Sequence, residues 1–177
     1  LYNIYKNGNL VTSVRNIKEY WKNNFVAFAI GCSFSFEDAL LTAGLEIDHI
    51  TNNKVVPMYR TNIKNKKSGP FNSKMVVSMR IFNKKDINKV KQISGNFSFA
   101  HGNPIHIGDP IEIGINNILS PDWGDSPKNK NDDEEYVFWA CGVTPQNAII
   151  EARIPFCITH TPGHMLITDI SENSLHN

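Results

Sequence analysis

The sequence predicts an α/β fold, with a mixed, largely buried sheet, flanking helices and a smaller inserted α+β unit of β-β-α-β order. Three observations predict it. Residues 136–140 are an unbroken apolar run that meets a Cys141-Gly142 corner, after which Thr144 and Pro145 open a helix with a side-chain cap and a proline at the first helical position. Residues 25–30 repeat that grammar. They end in Gly31-Cys32-Ser33, and Ser35 with Asp38 three residues on makes a capping-box-like start for a helix closed by Gly44. Apolar runs joined to helices through short corners suggest two crossover units feeding one sheet. Third, the texture changes at Val55, and a β-β-α-β unit over 55–107 divides the chain into a main domain, 1–54 with 108–177, and a smaller subdomain.

Taken in order, residues 2–14 read as a β-hairpin, because Asn7-Gly8 supplies the positive φ angles of a two-residue turn between β-formers. Asn16 caps a short helix through Trp21. After the first corner, Phe36, Ala39, Leu40 and Ala43 fall at i, i+3, i+4 and i+7, a stripe that faces a core. Residues 55–63 and 74–82 read as strands around a basic loop. Ile87, Val90 and Ile93 mark one face of a helix ended by Gly95, and residues 96–100 read as a further strand. Asp109-Pro110 is another cap followed by proline. Residues 120–135 are polar, an exposed excursion, residues 155–159 are strand-like, and the tail beyond Asp169 reads as frayed.

At 177 residues the chain is long enough to bury roughly 70% of its unfolded surface in one core. Lys and Arg number 18 against 17 Asp and Glu, a net charge of +1, which argues against a nucleic-acid surface or a polybasic membrane anchor. The apolar runs are strand-sized, far below the ~20 residues of a membrane span. Cys32, Cys141 and Cys157 are an odd number set in apolar surroundings. That fits a reducing compartment better than a disulfide framework, and the expected location is the cytoplasm. The sequence starts at Leu1 rather than methionine, which leaves room for a targeting segment ahead of it.

In buried sheets with helical connections, ligands sit beyond the strand ends, where backbone N–H groups at helix starts favour anions. Both glycine-cysteine corners are therefore expected to face one pocket. The segments FAIGCSFSFEDALLTAGL, VPMYRTNI, GPFNSKMVVSMR, HGNPIHIGDPIEIGI, PDWGD and VFWACGVTPQNAIIEARIPFCITHTPGHMLITD then make the chain similar to the D-glutamate cyclase family, long catalogued as hydro-lyases of unknown function. The match runs in family order over nearly the whole chain. The resemblance implies an α/β protein with a second small α+β unit, about half as much sequence again before Leu1, and conversion of D-glutamate to 5-oxo-D-proline with loss of water. It transfers no catalytic residues.

Residue roles follow from the chemistry instead. Ring closure needs a base for the α-amine, donors on the carboxylate oxygens and an acid for the departing water. Histidine suits both proton roles near pH 7. His101, His106, His160 and His164 are the acid–base candidates, with Asp109 or Asp169 orienting a ring. The corners Cys32-Ser33 and Cys141-Gly142 supply backbone donors, Ser33, Ser35, Thr144 and Gln146 supply side-chain donors, and Arg60 clamps a carboxylate. A cysteine nucleophile is disfavoured, since a thiolate gains little from attacking an unactivated carboxylate. No cofactor and no metal is expected; Pro162-Gly163 breaks the helix that a His160–His164 metal pair would need, and only His101, His106 and Asp109, if folded together, would offer another ligand set. The expected partner is a small acidic amino acid, with self-association left open. Two other readings share these features: a non-catalytic module that binds a small dicarboxylate or oxoproline, and a metal-assisted hydrolase of a small amide, sensitive to a chelator. Histidines and a corner bordering one cleft would favour catalysis; scattered, buried histidines would favour binding.

Overall fold

The computed structural model describes residues 1–170; the last residues of the expected frayed tail, 171–177, lie outside the described residues. Asn7 and Gly8, with φ of 50° and 76°, make the predicted turn between β1 (Tyr2–Lys6) and β2 (Asn9–Val14). Strand β7 (Phe156–His160) pairs with the other edge of β1, so the hairpin belongs to an antiparallel three-stranded sheet of order β2-β1-β7. A second antiparallel sheet has the order β3-β4-β6-β5, from Met58–Lys64, Lys74–Asn83, Glu134–Ala140 and His106–Ile107. β3 and β4 come from the 55–107 stretch and β6 from the later part of the chain.

Helices and strands share the core, as a mixed α/β class requires, but the pairing departs from crossover units in one sheet. The run 136–140 does become β6 and does lead through Cys141-Gly142 into α4 (Thr144–Glu151). That helix, however, delivers β7 to the other sheet. Adjacent buried residues of α4 point to different sheets: Gln146 donates to the His160 carbonyl at 3.1 Å and Asn147 to the Lys74 carbonyl at 3.4 Å. Residues 25–30 form neither strand nor helix. Their apolarity signals a need for burial, yet among the described residues no strand pairs with them. Residues 96–100 are not a strand either. Ser98–Ala100 is a 3-10 turn, which lets Phe97 and Ala100, three apart, both reach the core beside Phe36. Asn16 accepts from the Lys18 N–H at 3.0 Å, but only a turn follows.

Other local readings hold, except that Ser35 and Asp38 form no capping box: neither the 3-10 turn after the first corner nor the helix it leads into has a side-chain cap. A 3-10 turn at Ser33–Phe36 runs into α1 (Glu37–Thr42), and Phe36 and Leu40 of the predicted stripe are fully buried, with Ala39 and Ala43 packed against them. A four-residue helix, α2 (Asp48–Thr51), comes next, and α3 (Ile87–Gly95) buries Val90. Asp109 caps a 3-10 turn at Pro110–Ile113 by accepting from the Ile111 N–H at 2.9 Å.

Register fixes the two faces of the four-stranded sheet, because directly paired residues share a face and successive ones alternate. Arg80 pairs with Val137 and Ser78 with Trp139. Val76, Ser78, Arg80 and Phe82 therefore share a face with Val137 and Trp139, and Phe36, Leu40, Val90 and Phe97 cover much of it. Tyr59, Val77, Met79, Ile81, Tyr136 and Phe138 line the opposite face over Ile113 and Ile115.

Candidate functional site

The site is built on the face that carries Arg80. An arginine in an otherwise apolar strand must find partners or cost several kcal/mol. Here the Arg80 side chain is fully buried, and its guanidinium lies 5.2 and 5.3 Å from the ring centres of Phe36 and Trp139. Its Nε donates to Glu37 Oε1 at 2.8 Å and Nη2 makes a second, very short bond to the same oxygen. Nη1 donates to Ser78 Oγ and Nη2 to Ser33 Oγ, both at 3.1 Å, and the two hydroxyls are 3.2 Å apart. His49 Nε2 stands 3.1 Å from Glu37 Oε1, an ion-pair distance, but off the line of a hydrogen bond. Burial alone would raise the Glu37 carboxyl; Arg80 and His49 outweigh it and hold it below the usual carboxylate range. An open pocket beside this network is lined by His49, Arg80, Lys54 and Asp125 among others.

Ser33 ties this network to the first corner. The two corners meet: Cys32 is close enough to Cys141 to raise its pKa, and a Cβ on Gly142 would sit 3.6 Å from the Gly31 carbonyl oxygen. Gly31 itself admits no side chain, since a Cβ there would lie 1.8 Å from the Phe99 carbonyl oxygen. That contact brings the 3-10 turn and the residue after it, His101, against the corner. His101 has φ of 78°, and its buried Nε2 has no hydrogen-bond partner among the described residues. Burial lowers its pKa, a hydrogen bond to the Gly31 backbone opposes this, and Arg80 adds to the lowering. The ring is neutral near pH 7, the form that accepts a proton.

Burial also raises both thiols, Cys141 to about 11, against the backbone N–H groups of Ser33 and Phe34 at Cys32 and of Val143 at Cys141. Both stay protonated at neutral pH. Those three N–H groups thus face the two sulfurs where the corners meet.

The other candidates have different surroundings. Register puts His106 opposite Phe138, so the sheet separates its ring from Arg80; its Nε2 bonds the Asp109 carbonyl oxygen at 2.9 Å. Asp109 thus orients a ring through its backbone, while its carboxylate caps the 3-10 turn. His160 lies on β7 beside Gln146, lowered by burial and then by His164. His164 is exposed, 3.5 Å from the Pro162 carbonyl oxygen, and Asp169 is exposed. Thr144 does not cap α4: its hydroxyl accepts from the Val76 N–H at 3.0 Å and donates to the Val76 carbonyl at 3.1 Å, tying the helix start to β4. Ser35 donates its backbone N–H to the Cys32 carbonyl at 3.1 Å, which closes the first corner. Arg60 already has a carboxylate: it pairs with Asp122, donates to Asn147 and stacks 4.4 Å from the Trp123 ring centre.

Of the predicted residues, then, the structure gathers Cys32, Ser33, Cys141, Gly142 and His101. Sequence reasoning missed Arg80, Glu37, His49 and Ser78. A signal existed for one of them, a lone arginine in MVVSMRIF, where every neighbour reads as core. Among the described residues no group of three or more His, Cys, Asp or Glu is arranged to hold a metal ion, and no helix is long and apolar enough to cross a membrane.

Comparison with known proteins agrees with the sequence resemblance. The family model described as D-glutamate cyclase matches residues 26–169. A Dinoroseobacter shibae protein named "Putative hydro-lyase" is 52% identical over 173 residues, 98% of this chain and 57% of its own length. Proteins with the same kind of name from Pelagibacter ubique and Burkholderia multivorans are each 49% identical over 174 residues, 98% of this chain and 67% and 66% of theirs. The chain thus spans between 57% and 67% of the length of these relatives. The matched range takes in both corners, the buried arginine network and all four candidate histidines, and the chain belongs to the D-glutamate cyclase family.

Proposed function

We propose that this chain carries the substrate-holding part of a hydro-lyase that closes D-glutamate, or a related acidic amino acid, to 5-oxo-proline. The α-amine nitrogen attacks the side-chain carboxyl carbon; a C–N bond forms, a C–O bond breaks, and the oxygen leaves as water after taking up the protons given up by nitrogen. In this reading the N–H groups of Ser33, Phe34 and Val143 hold carboxylate oxygens, and His101 takes the proton from the amine and returns it to the leaving oxygen. The observation that carries the reading is that two corners distant in sequence meet with an unpartnered histidine nitrogen beside them. The family supports the substrate class.

The test is to incubate the protein with D-glutamate and follow 5-oxoproline by chromatography, in parallel with H101N. Asparagine tolerates the left-handed backbone at this position, so the corner is kept while the base is lost. Turnover that drops by about 10²- to 10⁴-fold in H101N fits the proposal; turnover equal in both proteins removes His101 from the mechanism.

A second reading has one observation in its favour: His106, His160 and His164 make their contacts with Asp109, Phe138, Gln146 and Pro162, none of them in the corners. A non-catalytic module for a small dicarboxylate or 5-oxoproline would show no turnover, and a rise in melting temperature with 5-oxo-D-proline that survives H101N.

A further inference from the structure

Large apolar side chains stand in solvent along residues 26–30: Val26 is 76% exposed, Phe28 83% and Ile30 52%. Phe99, 72% exposed, lies in the 3-10 turn whose backbone abuts Gly31, the residue that follows the run. Single exposed apolar residues are ordinary, but three in five consecutive positions beside a fourth are not. The residue types add a direction. Val26, Phe28 and Ile30 alternate with Ala27 and Ala29, so in an extended chain the three large groups fall on one side. Among the described residues nothing forms a ladder with this stretch, which leaves its N–H and C=O groups open as a strand template.

What covers it is suggested by the lengths of the relatives. This chain matches 57% of the Dinoroseobacter shibae protein and 67% of the Pelagibacter ubique protein, so a third or more of each lies outside the match. We propose that residues 26–30 are the docking strand for an apolar, β-forming segment of that remaining part, which pairs with their backbone and lies over Val26, Phe28, Ile30 and Phe99. The run ends at Gly31, so the docked segment also walls one side of the corner site. Pairing would convert the stretch into the strand that its composition calls for.

The test reads cover rather than turnover, so it stands apart from the proposed activity. Amide hydrogen exchange is followed over residues 26–30 in the 177-residue chain and in the same chain joined to the unmatched part of the Pelagibacter ubique protein. Exchange slower by on the order of 100-fold or more in the joined protein, and restored to fast by F28D, is the expected result. The full Pelagibacter ubique protein, measured at the matching stretch, gives an answer even where the joined protein does not fold: protection there supports the proposal. Fast exchange in that relative overturns it. So does protection in the 177-residue chain alone that grows with concentration alongside its mass, which would make the occupant a second copy.

Discussion

At the scale of single residues, the buried pair of Arg80 and Glu37 dominates. Such a pair adds little net stability over an apolar substitute, but removing one partner strands the other. E37Q should therefore cost about 3–5 kcal/mol in denaturant unfolding, far more than an exposed charge would. Glu37 also gives stability a pH signature. Its folded pKa lies below the ordinary 4.5, so the unfolded chain takes up the proton first; the contribution is complete above that value and is lost as pH falls through the folded pKa. His101 and His160 are likewise lowered from 6.5, so folding favours their neutral rings and stability declines as pH falls from 6.5 through their folded values. Melting temperature against pH should then fall in two stages, and H101N should shrink the upper one. The thiols make a contrasting forecast. With Cys141 pushed to about 11, C141A should keep most of whatever turnover the protein has, and alkylation should be slow at pH 7 and speed up as pH rises.

At the scale of elements, α4 shows why a motif can be right about a helix and wrong about its side chains. The Thr144-Pro145 pair does mark where the helix begins, but the threonine hydroxyl is spent on Val76 of β4. T144V removes both bonds at constant shape and leaves a buried backbone N–H without its partner. The expected cost is roughly 1–3 kcal/mol, measured by denaturation; no change would mean that the tether contributes nothing. Gly31 is the second element-scale lesson. Periodicity does not point to it, yet the approach of Phe99 leaves room for no other residue, and G31A should disrupt the corner and the His101 position together.

For the whole molecule, the two sheets are unequal. β4 is central, paired on both sides, with Val76, Val77 and Ser78 wholly buried, whereas β2 is an edge strand with mostly exposed side chains. Native-state hydrogen exchange should open β2 first and β4 last. Equal protection of the two would contradict this hierarchy. The unequal sheets meet through α4, whose Gln146 reaches β7 and whose Asn147 reaches β4.

Much was legible in the chain itself, because local physics wrote it there. The Asn7-Gly8 turn, the Phe36 to Ala43 stripe, the strand from Lys74 and the capped proline at Asp109 all rest on backbone geometry or on a side-chain period within a few residues. The meeting of the corners, the choice of His101 over His106, and the network of Glu37, His49, Ser33 and Ser78 around Arg80 were decided by tertiary structure alone. Those depend on which face a register turns inward and which loops touch, and residues tens of positions apart carry no local trace of either. Residues 25–30 mark the boundary between the two kinds of knowledge: their composition states that they are to be buried, and only a partner in space can say by what.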